Sequence, residues 1–332
     1  MNVKALIRRV NHTLKLHMLF PEHSRILIAC SGGPDSMALL HLLQDIAAHR
    51  HTKYKLGIAI VDHSIRPESK DEVLWLRNQV DALGVSFYTT AFDVPTLSKD
   101  LKLSEETVGR RVRYQWLNEI AQSEGYDYIA VAHHKDDQAE SILAHLIRGT
   151  GLNGLTGMAV VSHDYDIPVI RPLLDVTKEE LLAYLADRKL TYCIDSTNDD
   201  IRYQRNRIRH RIIPELESIN PNVVDAIARL GSSISEDLAV ISNLTAQAFE
   251  RLVTIDKNEM SLSRRALRKE PLAIQRRLWQ RLVSSIDSDI TLTTAHQEQL
   301  LDIVNTGEEK TFTIKSIKVT AQCDTIKVYC KH

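Results

Sequence analysis

The run Ser31-Gly32-Gly33-Pro34-Asp35-Ser36 has the residue types for handling an anion. It lies between a short apolar segment, Ile26 to Ala29, and an apolar-periodic one that starts at Met37. Strand, glycine turn and helix start together present backbone N–H groups and the positive end of a helix dipole to a phosphate. Gly32 and Gly33 permit close backbone approach and a positive φ. Ser31 and Ser36 add hydroxyl donors, and Asp35 can cap the helix or hold Mg²⁺. Turn geometry and capping alone would not require this combination. The loop itself carries neither GxxxxGK[ST] nor GxGxxG, so it belongs to neither of those two phosphate-binding types.

Further groups are spaced for related work. Arg110 and Arg113 are i, i+3 and share a helix face, as phosphate ligands from one helix would, although arginines on helices are ordinarily solvated. The run His133-His134-Lys135-Asp136-Asp137-Gln138-Ala139-Glu140 places Asp137 and Glu140 on one face of a helix start. Asp136 or Asp137 would cap it, and Glu140 lies one turn further on. The adjacent histidines lack a visible third ligand for a transition metal. Asp62 ends an apolar run at the same sheet edge as the glycine loop. Gly149 to Gly157 contains four glycines and reads as a connection or a lid. Asp195-Ser196-Thr197-Asn198 precedes Arg202, Arg205, Arg207, Arg209 and Arg211, a density of arginine suited to a phosphate-facing patch.

The elements that must position these groups alternate. Strands are expected at 26–29, 56–61, 85–91 and 128–132, with helices at 68–83, 105–123, 135 onward and 178–188. That order argues an α/β fold with a doubly wound, mainly parallel sheet and right-handed crossovers. Ligands then bind beyond the carboxyl ends of the strands. A basic amphipathic helix over 3–19 is expected to cover the sheet. From about Asn220 the pattern becomes helical, over 223–252, 262–286 and 293–305. Two alternating segments, 311–320 and 325–329, end the chain as a hairpin or paired strands. Two domains follow: 1–216 for catalysis, and 217–332, mainly helical with a short terminal β segment.

Composition agrees with a globular protein: 332 residues, 43% hydrophobic and 26% charged, more than one core usually organises. A net charge of −1 leaves any nucleic-acid surface local. Four cysteines without a CxxC pair support neither a disulfide framework nor a zinc or iron–sulfur site. No apolar run reaches membrane-spanning length, and Arg8, Arg9, His12 and Lys15 interrupt any signal-peptide core. A reducing cytoplasm and no membrane partner are expected.

The loop resembles the SGGxDS signature of the PP-loop ATP pyrophosphatases, an adenine nucleotide alpha hydrolase-like fold, which cleave ATP between the α- and β-phosphates. Later motifs narrow this. DHSIRPES from Asp62, the arginine–tyrosine helix, HHKDDQAE from His133, RGTGLNGLTGM from Arg148, IRPLL from Ile170 and DSTN…RNRIR resemble the tRNA(Ile)-lysidine synthetases over residues 24 to about 216. Departures are small: Glu140-Ser141 stands where Glu-Thr is frequent, and Asp62-His63-Ser64-Ile65-Arg66 where Asn-His-Gly-Leu-Arg is. Many members are longer, which makes this chain a short form.

The resemblance implies ATP-dependent adenylation of C2 of the wobble cytidine in a CAU anticodon, followed by displacement of AMP by the lysine side-chain amine. The implied partners are tRNA(Ile), L-lysine, ATP and Mg²⁺; the oligomeric state stays open, a homodimer included. Catalytic roles fall to Asp35, Arg110, His133 and Asp137, with Asp35 as the Mg²⁺ ligand. ATP would meet Ser31, Gly32, Gly33, Pro34, Asp35, Ser36, Asp62 and Arg113. Lysine, a cation, would need Asp137, Glu140 and Asp195. tRNA would meet Arg202, Arg205, Arg207 and Arg209. His133 or a carboxylate would accept the amine proton. The alternatives are a PP-loop tRNA 2-thiolase, against which the missing CxxC counts, and an inactive RNA-binding relative.

Overall fold

Ile26, Leu27 and Ile28 are fully buried and form the middle of strand β1 (Arg25–Ala29), the centre of the first sheet. In the computed structural model the described residues are 3–17, 19–50, 54–62, 69–193, 204–256, 259–306 and 308–330. They divide into two units, Met1–Ser233 and Ile234–His332. The division falls inside the long helix Val223–Leu252, whereas position 216 lies within the helix Ile213–Ile219.

The first unit holds a six-stranded sheet. Its other strands are β2 (Lys55–Asp62), β3 (Ser86–Ala91), β4 (Tyr128–Ala130), β5 (Val161–Ser162) and β6 (Val169–Ile170), in the order β3-β2-β1-β4-β6-β5. All neighbours are parallel except the edge pair β5 and β6. Parallel pairing demands crossovers, and helices supply them. Strand order reverses between β1 and β4, so the crevice at their carboxyl ends is where such a sheet binds ligands.

The helix Pro34–Arg50 buries Met37, Ala38, Leu39, Leu40, Leu42 and Leu43. A helix apolar on nearly every side must be enclosed. It packs against β1, the helix Val3–Leu16 and the helix Lys178–Asp187. The expected cover helix therefore exists, with Leu6, Ile7, Val10 and Leu14 turned inward. In β2, Gly57 answers a close approach: a Cβ there would lie 1.9 Å from the Tyr126 hydroxyl oxygen.

The second unit contains more β structure than the sequence reading anticipates. Strands β7 (Val253–Asp256), β8 (Glu259–Ser263), β9 (Lys310–Ile314), β10 (Ile317–Gln322) and β11 (Thr325–Cys330) form an antiparallel sheet in the order β7-β8-β11-β10-β9. The helix expected over 262–286 is divided. Met260 and Leu262 alternate into the core as strand residues, and Ser263 then caps a short helix, Arg264–Arg268, by accepting from Ala266 N. Pro271, at the N-cap, starts a new helix, Leu272–Ile286, around buried Leu278, Trp279 and Leu282. Among the described residues no helix is long and apolar enough to cross a membrane.

Candidate active site

A cavity of about 430 Å³ opens at the carboxyl ends of β1, β2 and β4. Its walls bring together Ser31, Asp35 and Ser36 from the glycine loop, Arg113 and Tyr114 from the helix Glu105–Ser123, His133 and Asp137 from the end of β4, and Arg205 and Arg209. Residues remote in sequence meet there because consecutive parallel strands all end on one side of the sheet.

The glycine loop is folded by its own hydroxyls. Ser36 Oγ donates to Gly33 O at 3.0 Å and accepts from Ser31 N at 3.2 Å. Gly32 adopts φ +78°, a conformation that favours glycine. Its carbonyl accepts from Cys193 N at 2.9 Å. Pro34 opens the helix, where its missing N–H costs nothing. Asp35 turns one oxygen to Lys178 Nζ at 2.5 Å, and the other lies 3.8 Å from His134 Nε2.

His134 is almost fully buried among three carboxylates: Asp136 Oδ2 at 3.3 Å, Asp137 Oδ2 at 3.5 Å and Asp35. Burial alone would lower its pKa; the hydrogen bond to Asp136 and the charges of Asp137 and Asp35 outweigh burial and raise it. Its backbone N–H donates to Asp137 Oδ2 at 3.0 Å, so Asp137 is the residue that caps the helix Lys135–Arg148. Asp136 instead accepts from Lys178 N at 2.8 Å and ties two helix starts together.

His133 behaves oppositely. Burial, aided by Arg171, Arg205 and Arg113 against Asp137, pushes it down to about 3. The imidazole is therefore neutral at ordinary pH, and its buried Nδ1 has no hydrogen-bond partner among the described residues. Asp137 is held down to about 2: burial would raise it, but the charges of His134 and Arg205 prevail.

Arg205 and Arg209 account for the cationic side of Asp137 and Glu140. Arg205 donates from Nε to Glu140 Oε2 and from Nη2 to Asp137 Oδ1, both at 2.7 Å. Arg209 donates from Nε to Glu140 Oε1 at 2.6 Å and from Nη2 to Glu140 Oε2 and Asp137 Oδ1 at 3.1 Å. Only 1% of the Glu140 side chain is exposed, and a buried carboxylate needs a counter-charge. Bidentate guanidinium is the geometry best suited to supply one.

The local backbone explains why these two arginines arrive together. Gln204–Arg207 is α-helical, Ile208–Ile212 forms a wider π turn in which Ile213 N bonds Ile208 O, and Ile213–Ile219 resumes the α-helix. Pro214 lacks an N–H and would crowd the carbonyl four residues earlier, which the wider turn relieves. Ile208 and Ile213 seat this run on Ala139 and Val224, and Arg205 and Arg209, four residues apart, face the carboxylates.

Other expected residues lie elsewhere. Arg110 does not line the cavity; its guanidinium sits 4.9 Å from the centroid of Tyr114, which stacks on Tyr165. Asp62 is buried at the end of β2 but is not part of the cavity wall, and Arg207 is exposed. Asp195 and Arg202, with the 63–68 and 194–203 segments, lie outside the described residues. The four-glycine segment from Gly149 to Gly157 is pinned at its end: Gln138 Nε2 donates to Thr156 O at 3.0 Å and Met158 O at 3.1 Å, and Gln138 Oε1 accepts from Met158 N at 2.7 Å.

Lys178, His134 and Arg171 escape sequence reasoning. Thr177 and Glu180 form a capping box that marks the helix start at Lys178, but no local signal says that its amine meets Asp35. Arg171, 5% exposed, donates to Ala159 O at 2.8 Å. Among the described residues no group of three or more His, Cys, Asp or Glu is disposed to hold a metal.

Residues 3–216 match the PP-loop domain family. The chain is 33% identical to the tRNA(Ile)-lysidine synthase of a Nostoc species over 294 residues, 84% of this chain and 83% of that protein. It is 38% identical to that of Thermosipho africanus over 74% of this chain, and 36% identical to that of Porphyromonas gingivalis over 73%. The chain spans 56% and 52% of the length of these two relatives. Among solved structures, a U34-tRNA thiolase from Methanococcus maripaludis shares the fold with TM-score 0.61 at 21% identity, over 70% of this chain and 78% of that one.

Proposed function

Because this chain belongs to the tRNA(Ile)-lysidine synthase family of PP-loop proteins, we propose that it joins lysine to C2 of the wobble cytidine in a CAU-anticodon tRNA(Ile). ATP drives the ligation, and the reaction takes place in the cytoplasm. The C2 carbonyl oxygen attacks the α-phosphorus of ATP, the α–β bond breaks and pyrophosphate leaves. A carboxylate takes a proton from the lysine ε-ammonium, the neutral amine attacks C2, and AMP departs with the former carbonyl oxygen. The product reads AUA in place of AUG.

What carries this reading is one cavity that joins a phosphate-type loop to Asp137 on a neighbouring helix, with Glu140 one turn behind it and bound by the same arginines. Ser31 to Ser36 and Arg113 would hold the triphosphate, where preorganised donors stabilise developing charge. Asp35 would hold Mg²⁺ carried in by the nucleotide. One carboxylate plus phosphate oxygens is donor chemistry that suits this ion, which neutralises phosphate charge when bound. Asp137 and Glu140 would take the lysine side chain. His133, neutral and part of the cavity wall, would orient the attacking amine; its depressed pKa makes it a poor store for a proton.

Residues 217–332 would dock the tRNA. In the second unit Arg265, Lys269, Arg276 and Arg281 are exposed and available to phosphate. Arg264 and Arg268 are structural, donating to Glu308 O and Val304 O. The reading is tested by incubating the chain with CAU-anticodon tRNA, ATP and labelled lysine, followed by nucleoside mass analysis. Lysidine with AMP release is expected; a sulfur-containing base, or no ATP consumption with tRNA present, would overturn it.

A further inference from the structure

Asp137 and Glu140 carry two negative charges, and Arg205 and Arg209 bring two positive ones through the bonds described above. These four side chains sum to zero charge. A lysine ammonium added to it would leave an excess positive charge at a site with 1% of Glu140 exposed, and desolvated like charges repel strongly. One guanidinium must leave before the ammonium can enter.

The two arginines are not equivalent. Arg209 grips Glu140 through both oxygens, whereas Arg205 gives a single bond to each carboxylate. Loss of Arg205 would leave each carboxylate with an Arg209 bond and one negative charge in surplus, enough for one ammonium. Both arginines line the cavity with Arg113, His133 and the glycine loop, so an anion bound there would draw the one held by fewer bonds, Arg205. Its charge is felt at both His133 and Arg113.

We infer that Arg205 is an exchangeable counter-ion, which neutralises Asp137 and Glu140 in the free chain and passes to phosphate when the lysine ammonium takes its place. This rests on the reading of Asp137 and Glu140 as the lysine site. It couples the two ligands: phosphate draws Arg205 away and opens the carboxylates, so nucleotide and lysine each strengthen the other's binding by the same factor. It also weakens lysine binding in the absence of phosphate, and so reduces idle occupation of the site by a free amine.

The test is calorimetric titration of L-lysine into the full chain, with and without a non-hydrolysable ATP analogue, for wild type and Arg205→Gln. In wild type the analogue should tighten lysine binding at least about tenfold, a coupling of about 1.4 kcal/mol. Arg205→Gln should bind lysine tightly without nucleotide and gain nothing further from it. Lysine binding that requires Glu140, shown by its loss in Glu140→Gln, yet is the same in wild type with and without the analogue would overturn the exchange and leave the lysine site standing. Binding untouched by Glu140→Gln, or no binding in any condition, would overturn both. If Arg205→Gln fails to fold, the wild-type comparison alone decides.

Discussion

Asp35 and Lys178 stand 143 residues apart in sequence, and their side chains meet at 2.5 Å between Oδ1 and Nζ. The contact links the glycine loop to the first residue of the helix Lys178–Asp187. Both side chains are about a third exposed (30% and 35%), so solvent screens the pair and its contribution to stability is below about 1 kcal/mol. Asp35→Ala should therefore fold normally while adenylation falls by about 10²-fold or more, because transition-state charge loses a ligand. Pyrophosphate release and a thermal unfolding curve, measured side by side, check this. Near-normal release from a folded variant removes Asp35 from the chemistry.

Glu140→Gln keeps the shape of the side chain and removes its charge. Arg205 and Arg209 would then share Asp137 alone, leaving excess positive charge. Breaking a buried pair costs about 3–5 kcal/mol, and the partial exposure of both arginines (38% and 34%) reduces this to about 1–3 kcal/mol. The lysine KM should rise strongly while lysine-independent adenylation of tRNA persists. An unchanged KM would move the lysine pocket away from this helix.

Stability should fall on acidification, with His133 as one cause. The folded-state pKa is about 3 against 6.5 for the free side chain. Between those values the unfolded chain binds the extra proton and the folded chain does not, so stability drops as pH falls. Asp137, held at about 2 against 3.8, adds a loss that begins below pH 4. His134, raised above 6.5, acts the other way: its contribution is complete below pH 6.5 and is lost as pH rises through the raised value. Denaturant midpoints at pH 7, 5.5 and 4.5 should show His133→Asn with a shallower decline than wild type. An identical decline would remove His133 as a cause.

Gly157 has φ +67°, and a Cβ there would lie 2.6 Å from Gln138 Oε1. Gly157→Ala must both strain the backbone, at about 1–2 kcal/mol, and displace the amide that pins the loop. Gln138→Ala removes the same three hydrogen bonds without backbone strain. Both should lower the unfolding temperature and open 149–158 to proteolysis, the first more than the second. Protease resistance equal to wild type in both would show that the loop is held by other contacts.

A fragment ending at Ser233 should keep ATP binding and lose affinity for tRNA. One ending at 216 should be less stable. It lacks Val224, which packs with Ala139, Ile208 and Ile213 beneath the arginine pair, and Gly231, where a Cβ would lie 2.8 Å from Ile142 Cδ1. Equilibrium unfolding of the two fragments, with filter binding of tRNA, distinguishes them. Undiminished tRNA binding by the longer fragment would return docking to the first unit.

Much of the catalytic unit was legible from the chain alone because its signals are local. The run Ser31 to Ser36 is a strand-to-helix turn whose geometry depends on its own glycines and hydroxyls, and the alternation of apolar strands and helices implies a parallel sheet by crossover geometry. Asp137 and Glu140 share a helix face by the 3.6-residue period, whatever surrounds them. In the second unit β7 and β8 are only four and five residues long. Their period-2 pattern was absorbed into flanking helical periodicity, although Asp256-Lys257-Asn258-Glu259 carries turn residues.

Tertiary structure alone decided where charge is neutralised. The arginine-rich stretch from 202 to 211 reads from sequence as a phosphate-facing patch in preference to a solvated face, but charge density carries no address. In the fold, Ile208 and Ile213 bury against Ala139 and turn Arg205 onto Glu140 across 65 residues of sequence. Likewise neighbouring histidines of one residue type part company: His134 is enclosed by carboxylates that outweigh its burial and becomes more basic, while His133 is pushed down by burial, with nearby arginines adding to it. The sign of each shift depends on what packs around the ring, and chain spacing does not encode that.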